Sequence, residues 1–300
     1  MEPNQSIAGP SFIYKPLPNH ISIRLVKIYL GDGILACSLI NDDISSSQYD
    51  ALSYPWGDPH PVKSVKLGTA WEVSPPPYII CGGARMEIIR NLYDALYQFR
   101  EHDIFGPLWV DALCIDQQNL HERGTQVAMM SDIYANAQQV LIWLGKEDEG
   151  TKETACLMST FAEALDAPGY LDTRLAFNFE DSRFFEYINH PVLAEREWQL
   201  ISDVFARNWF KRGWVIQELA LSKQTRIFCG KVQFIGDDLA IVTAFLIHSG
   251  WWLSPIWLEL CSSEEAVDGI NAYFAMVWVD RQREQEAILH SPKIKIASWY

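Results

Sequence analysis

Apolar and polar positions alternate along the first third of the chain, which is the pattern of β-strands packed on one face. Residues 21–30 and 34–40 flank a short glycine-containing turn and predict a β-hairpin. Residues 51–54 predict a short strand that ends at a turn rich in proline, tryptophan and glycine, and residues 78–89 predict a second hairpin. Residues 1–20 hold four prolines and little periodicity, so we expect a loose N-terminal segment.

From residue 91 onward, helical patterns alternate with buried strands. Residues 91–100 place apolar side chains on one helix face, with Asn91 as the expected N-cap. Residues 108–115 and 140–144 are nearly continuous apolar runs, which are typical of strands buried on both faces. This succession predicts an α/β fold with a parallel sheet, flanking helices and right-handed crossovers.

The helix between those two strands has a recognisable start and a regular apolar face. Asn119 and Glu122 stand at the spacing of a capping box. Val127, Met130 and Tyr134 recur on one face of the helix that follows, so we expect all three in the core.

The second half of the chain is mainly helical in pattern. Residues 151–165 and 193–210 predict helices, and the aromatic but aperiodic stretch between them, about 166–191, predicts an insertion. Residues 236–300 predict a helical C-terminal extension. The chain stops there without a closing signal, which favours a truncated chain.

Composition excludes several classes of protein. Lys plus Arg is 24 and Asp plus Glu is 38, so the net charge of −14 argues against a nucleic-acid partner. The six cysteines are dispersed and form no C-x-x-C pair, and no secretory signal is present, which together indicate a cytoplasmic protein with reduced thiols. Residues 239–260 are apolar but interrupted by polar residues and a proline, so we expect no membrane span.

Several motifs that carry chemistry are missing from the sequence. No Gly-rich phosphate loop, no nucleophile elbow and no H-E-x-x-H occurs, so we expect neither a bound cofactor nor a metal site. Cys114 and His121 could suggest a thiol protease, but Cys114 lies within an apolar run, where a thiol is inert, so we do not expect one.

Three sequence blocks stand out by their order and spacing. They are YDALSYPWGD at residues 49–58, LWVDALCIDQQN at 108–119 with its continuation to WLG at 143–145, and NWFKRGWVIQE at 208–218. Together these blocks resemble the fungal heterokaryon incompatibility (HET) domain. The resemblance covers about residues 21–235, and its dense part covers 49–221.

The resemblance implies a biological role and a set of partners. The HET family is implicated in non-self recognition and programmed cell death when genetically unlike hyphae fuse, a form of innate immunity. This implies a death effector that forms a homo-oligomer on activation. It also implies receptor-type or allelic incompatibility proteins as partners.

The HET domain is in turn remotely similar to TIR domains, which have a flavodoxin-like parallel sheet. Some TIR domains cleave NAD at the nicotinamide–ribose bond with one glutamate on a helix carrying Trp-x-x-x-Glu. Trp214 and Glu218 fall on that pattern. The resemblance therefore implies NAD as a substrate rather than a cofactor, with Glu218 as the catalytic residue.

The residue types around Glu218 suit this chemistry. A fixed carboxylate stabilises the ribosyl cation that develops as nicotinamide leaves, and Trp214 or Trp56 could stack on a planar ring. The alternative for Glu218 is a helix-surface carboxylate paired with Arg212 or Lys223.

Further candidates for substrate binding lie at predicted strand ends. Ser53, Tyr54, Trp56 and Gly57 form a strand-to-loop corner in which Gly57 would adopt a backbone conformation closed to other residues. The alternative for this corner is a packed aromatic turn.

Two acidic residues and an arginine also have two interpretations each. Asp111 serves either in the site or in an ion pair with Arg123 or Arg212. Arg212 binds either a phosphate or an acidic side chain at the helix start. For Asp116, turn and cap chemistry is favoured over a site role.

Two mechanisms compete for this domain. In the first, assembly completes a pocket in which Glu218 supports NAD cleavage. In the second, the domain is a non-enzymatic adaptor that works by homotypic contacts. A preserved polar pocket around Glu218 favours the enzyme, whereas an exposed Glu218 on a flat face, with apolar patches elsewhere, favours the adaptor.

Overall fold

The computed structural model describes residues 10–30, 34–45, 48–60, 76–166, 182–212, 215–249, 269, 270 and 273. The strands within these ranges are β1 (Ser22–Leu30), β2 (Leu35–Asp43), β3 (Asp50–Ser53), β4 (Tyr78–Cys81), β5 (Ala84–Glu87), β6 (Leu108–Trp109), β7 (Val140–Trp143), β8 (Thr225–Cys229) and β9 (Val232–Phe234). The helices are α1 (Arg90–Glu101), α2 (Asp111–Cys114), α3 (Leu120–Ala128), α4 (Met130–Asn136), α5 (Thr151–Asp166), α6 (Ser182–Tyr187), α7 (Glu195–Phe205), α8 (Val215–Ala220) and α9 (Gly236–His248), with a 3-10 helix at Asn208–Lys211.

All the described strands join one mixed sheet in the order β5-β4-β2-β1-β6-β3-β7-β8-β9. Its centre is parallel, because β3 pairs in parallel with β6 and β7, and β7 pairs in parallel with β8. The predicted hairpins β1–β2 and β4–β5 are confirmed as antiparallel pairs of the same sheet. In chain order the four central strands run 2-1-3-4, an order found in doubly wound sheets. The α/β prediction is therefore confirmed.

Helices cover the sheet as the apolar patterns predict. The face of α1 that carries Leu92, Leu96 and Phe99 is buried. On the C-terminal side of the chain, α5 packs against α7 and α9. The central strand β7 is buried throughout its length, which explains why its sequence is continuously apolar.

The apolar run at residues 108–115 is not one strand, contrary to the prediction. Only Leu108–Trp109 forms a strand, and α2 begins two residues later at Asp111. The Asp111 side chain accepts a hydrogen bond from the backbone N–H of Ala112 at 2.7 Å, and the Val110 carbonyl accepts one from Cys114 at 2.7 Å. A short apolar run does not distinguish a buried strand from a buried helical turn, and these local hydrogen bonds favour the turn.

Asn91 is not the N-cap of α1, contrary to the prediction. The cap is Ile89, which makes no side-chain capping bond. Asn91 is buried instead, where it donates to the Pro55 carbonyl at 2.8 Å and accepts from Trp143 Nε1 at 2.9 Å. It thus ties the loop after β3 to the central strand β7.

The helix that begins at Asn119 also differs from its prediction. Half of the predicted capping box is present, because the Asn119 side chain accepts from the Glu122 N–H at 3.2 Å. The Glu122 carboxylate accepts from the Asp116 N–H at 2.8 Å, whereas the Asn119 N–H donates to the Asp116 carbonyl. The helix is interrupted at Met129, and Val127 is 38% exposed rather than in the core. Tyr134 is buried, as predicted.

The two ends of the chain are described only in part. Residues 10–14, expected to be loose, are attached to β5 by hydrogen bonds such as that from the Phe12 N–H to the Arg85 carbonyl at 3.0 Å. The insertion contributes α6, and the C-terminal extension contributes α9. No helix in the described ranges is both long enough and apolar enough to cross a bilayer. The five cysteines described are free thiols.

Candidate functional site

The candidate residues meet at the carboxyl edge of the parallel sheet. Ser53 is the last residue of β3, Asp111 follows β6, and Glu218 lies on α8 in the crossover from β7 to β8. The chain passes to opposite sides of β3, first to β6 and then to β7. Ligands of open α/β sheets bind in the crevice that such a switch creates at the carboxyl ends.

Glu218 is a buried carboxylate with an organised set of partners. Its residue is 1% exposed. Ser53 Oγ donates a short hydrogen bond to Glu218 Oε2, and Trp209 Nε1 donates to Ser53 Oγ at 2.7 Å. Arg212 Nη2 lies 3.5 Å from Glu218 Oε1. Ser53 therefore orients Oε2 of Glu218, whereas Oε1 has the longer contact with Arg212.

The electrostatic environment opposes ionisation of Glu218 overall. Burial raises the pKa of the Glu218 carboxyl, and the nearby Asp111 adds to that rise. Arg212 and the hydrogen bond from Ser53 act in the opposite direction without cancelling it. Because Arg212 and Ser53 both lower this pKa, loss of either partner would raise it further.

Asp111 forms a second acidic position beside Glu218. It accepts a hydrogen bond from Trp56 Nε1 at 2.8 Å, and burial raises its pKa although Trp56 and Arg212 lower it. The Tyr54 hydroxyl is buried near Asp111 but makes no hydrogen bond of normal geometry within the described residues. Burial, reinforced by Asp111, raises the pKa of Tyr54 well above its ordinary value. The phenol thus stays a neutral donor.

Arg212 lies near both carboxylates, and not all of its hydrogen-bond donors have partners among the described residues. Its side chain is 22% exposed, whereas that of Glu218 is 2% exposed, so Arg212 is the more accessible member of the pair. Arg212 Nη1 is buried without a hydrogen-bond partner among the described residues. The site therefore contains two donors, Tyr54 O–H and Arg212 Nη1–H, that can serve acceptors on a ligand.

The structure decides between the alternatives for these residues. Glu218 is not a surface carboxylate; it pairs with Arg212, while Lys223 donates to the Asn136 carbonyl at 3.1 Å. Asp111 lies near Arg212, while Arg123 donates to a backbone carbonyl at 3.4 Å. Arg212 is thus the partner of Glu218, and its charge also lowers the pKa of Asp111.

The corner after β3 only partly follows its prediction. Ser53 and Tyr54 are buried in the site, whereas Trp56 is 47% exposed at its rim. Gly57 needs no glycine-specific conformation: its φ lies outside the left-handed region, and an added Cβ would meet nothing within 4 Å. The expected glycine-specific conformation was therefore wrong, whereas a part of Gly57 in substrate binding stays a prediction. Trp214 lies outside the described residues.

Two contributors to the site were not identified from the sequence. Trp209 binds Ser53 across 156 positions of the chain, a contact that no local pattern reveals. Tyr134, predicted as core only, lies beside Glu218, and its hydroxyl donates to the Leu52 carbonyl at 3.2 Å. The position of Trp209 within the third sequence block was the available signal.

Other candidate chemistry receives less support. Asp116 Oδ1 accepts from the Gln118 N–H at 3.1 Å, which confirms its interpretation as a turn residue. Burial raises the pKa of the Cys114 thiol to about 12, so this cysteine stays protonated. Within the described ranges no group of three His, Cys, Asp or Glu side chains could hold a metal ion.

A cleft of about 480 Å³ opens beside the site. Trp56 and Asp58 from the loop after β3, and Arg90 and Asn91 from the start of α1, contribute to its lining. Trp56 is shared between this cleft and the hydrogen bond to Asp111. Trp56 therefore links the cleft to the site, and neither Asp111 nor Glu218 is among the residues that line it.

Comparison with known proteins agrees with the sequence blocks. The family described as Heterokaryon incompatibility protein (HET) matches residues 49–218. Heterokaryon incompatibility protein 6, OR allele, of Neurospora crassa is 30% identical over 214 residues, which cover 65% of this chain and 31% of that protein. The chain thus spans less than a third of the length of that relative. No solved structure matches this chain. The chain belongs to the heterokaryon incompatibility (HET) family.

Proposed function

We propose that this chain is a cell-death effector domain in fungal non-self recognition and that it cleaves NAD at the nicotinamide–ribose bond. The incompatibility role rests on HET membership and on the Neurospora relative. One observation carries the enzymatic part: Glu218 is buried and oriented by Ser53 and Arg212 at the carboxyl edge of the parallel sheet. The 2-1-3-4 order of the central strands supports a TIR-like architecture.

The proposed reaction needs little acid catalysis. Nicotinamide leaves with the electron pair of the C–N bond as a neutral base, and the ribosyl carbon becomes cationic. The ionised Glu218 stabilises that cation, and the burial of its carboxylate strengthens the effect. A water oxygen then bonds to the ribosyl carbon and releases a proton to solvent.

The charge of the site suits the nicotinamide half of the substrate. Glu218 and Asp111 outnumber the single guanidinium of Arg212, so the ionised site is net negative. A cationic pyridinium ring is attracted to such a site, whereas phosphates are repelled. The unused donors of Tyr54 and Arg212 can bind ribose hydroxyls.

Access to Glu218 requires a change at Arg212. Glu218 is buried, and Arg212 is the partly exposed side chain that contacts it. We propose that assembly into a homo-oligomer, triggered by a receptor-type or allelic partner, displaces Arg212 toward the substrate. The unassembled domain would then be inactive.

An adaptor function is the second candidate, and one surface favours it. Leu120 and Val127 lie seven residues apart on the same face of α3 and are 71% and 38% exposed. Exposed apolar side chains on one helix face are typical of contact surfaces. In this alternative the domain kills through recruited partners.

Cell death in a fungal host separates the two functions. Expression of the chain in clustered form is expected to kill, and Glu218→Gln is expected to abolish killing and to preserve cellular NAD. Glu163→Gln, an exposed glutamate on α5, is the matched control and should kill like the wild type. Killing by a folded, clustered Glu218→Gln protein would contradict the enzymatic proposal and support the adaptor.

A further inference from the structure

Three buried side chains from separate parts of the chain form one directional hydrogen-bond series. Trp209 Nε1 donates to Ser53 Oγ at 2.7 Å, and Ser53 Oγ donates to Glu218 Oε2. All three residues are at most 1% exposed. The series joins the 3-10 helix, the end of β3 and α8, which are distant in sequence.

The chemistry of the donors fixes the direction of this series. An indole N–H can only donate, so Trp209 occupies a lone pair of the Ser53 oxygen. The Ser53 hydroxyl carries one proton, and because the ionised carboxylate of Glu218 can only accept, that proton is directed at it. Ser53 therefore has no proton left for a substrate, and its predicted role in substrate binding is not the one its geometry favours.

We infer that Ser53, locked by Trp209, is a positioning residue that fixes Oε2 of Glu218 and leaves Oε1 facing Arg212. This inference deepens the proposed function, and the catalytic part of its effect rests on that function. The positioning itself is independent of any reaction. It predicts a measurable property of Glu218 in the protein without substrate.

That property is the acidity of Glu218. The hydrogen bond from Ser53 stabilises the charged form of the carboxyl, against the burial that disfavours it. Loss of the Ser53 proton should therefore raise the pKa of Glu218 further. Loss of the Trp209 donor should do the same to a smaller degree, because Ser53 is then free to turn away.

The test is an NMR titration of the whole chain carrying isotope-labelled glutamate carboxyl groups. The Glu218 signal is assigned by its absence in Glu218→Gln. Ser53→Ala is expected to raise the midpoint of Glu218 by about one pH unit. Trp209→Phe, which keeps an aromatic ring, is expected to give a smaller rise, and Ser53→Thr, which keeps a hydroxyl, should restore most of the wild-type midpoint.

Matched controls make the result decisive. Ser202→Ala removes another fully buried serine hydroxyl, on α7, and should leave the Glu218 midpoint unchanged. An unchanged midpoint in folded Ser53→Ala, or an equal shift in Ser202→Ala, would overturn the inference. If Ser53→Ala does not fold, Trp209→Phe alone decides the same question.

An activity measurement distinguishes this inference from the proposed function. If clustered wild-type protein turns over NAD, Ser53→Ala is expected to lower kcat about tenfold with little change in KM, and to move the acidic limb of the pH profile upward. If the wild type shows no turnover, the proposed function fails. The titration still confirms or overturns the positioning of Glu218.

Discussion

Two arginine–glutamate pairs in this protein are buried to different degrees and bonded to different extents. Arg24 binds both oxygens of Glu122 and also donates to the carbonyls of Cys114 and Lys15. Arg212 approaches one oxygen of Glu218 at 3.5 Å, and its Nη1 has no partner among the described residues. Both terminal nitrogens of Arg24 thus donate hydrogen bonds, whereas Arg212 has a donor that no described residue accepts from.

The two carboxyls differ in acidity for the same reason. Burial raises the pKa of Glu122, but the bonds from Arg24 and the Asp116 N–H outweigh it, and the net pKa is lowered. For Glu218, burial outweighs Arg212 and Ser53, and the net pKa is raised. Complete pairing thus marks Arg24 as structural, while incomplete pairing at Arg212 leaves a group that a ligand can satisfy.

Replacing each arginine by methionine tests this contrast, and these variants are expected to change the unfolding free energy most. Arg24→Met removes the arginine from Glu122 and from two backbone carbonyls and leaves Glu122 with the Asp116 N–H alone, so a loss of about 3–5 kcal/mol in unfolding free energy is expected. Arg212→Met should cost less, about 1–2 kcal/mol, because it loses one long contact. Urea unfolding measures both, and a larger loss for Arg212→Met would reverse the assignment.

The pH dependence of stability is expected to have opposite signs at the two glutamates. The lowered pKa of Glu122 gives stability that is present above its unfolded pKa and is lost as pH falls through the folded pKa. The raised pKa of Glu218 gives stability that is present below its unfolded pKa and is lost as pH rises through the folded pKa.

Glutamine variants measure this difference directly. As pH rises, the stability of the wild type relative to Glu122→Gln should increase in the acidic range up to the unfolded pKa of a glutamate, and relative to Glu218→Gln it should decrease above that pKa. Denaturant unfolding at a series of pH values provides the comparison. Parallel curves for the two variants would show that the two carboxyls do not differ as described.

Among these variants, Trp56→Phe is expected to have the smallest effect on stability. The variant removes the indole donor to Asp111 at a half-exposed position, so a loss of about 0.5–1 kcal/mol is expected. Thermal unfolding measures the change. A loss as large as that of Arg24→Met would place Trp56 among the residues that hold the fold together.

Local patterns predicted much of this molecule. The hairpins, the buried face of α1 and the α/β class follow from periodicities of two and 3.6 residues that burial enforces. The strand predicted at residues 108–115 failed because a four-residue helical turn can be as apolar as a strand. Hydrogen bonds of Asp111 and Val110, rather than hydrophobicity, determine that turn.

The site was predictable in its acidic and basic members but not in its internal connections. The pairing of Glu218 with Arg212 was one of two pairings considered, and both residues lie in the same sequence block. The bond from Trp209 to Ser53 depends on how distant segments of the fold meet. Gly57 was overinterpreted, because a glycine in a turn does not by itself imply a left-handed conformation.

The most direct test of the central claim is the fate of NAD in a solution of the purified, deliberately clustered chain. Release of nicotinamide and ADP-ribose is expected from wild-type protein and from Glu163→Gln, and none is expected from Glu218→Gln. NADH should remain intact, because its ring lacks the positive charge that makes nicotinamide a leaving group. Absence of nicotinamide release from folded, clustered wild-type protein, or equal release by Glu218→Gln, would contradict the assignment of Glu218 as the catalytic residue of an NAD-cleaving enzyme.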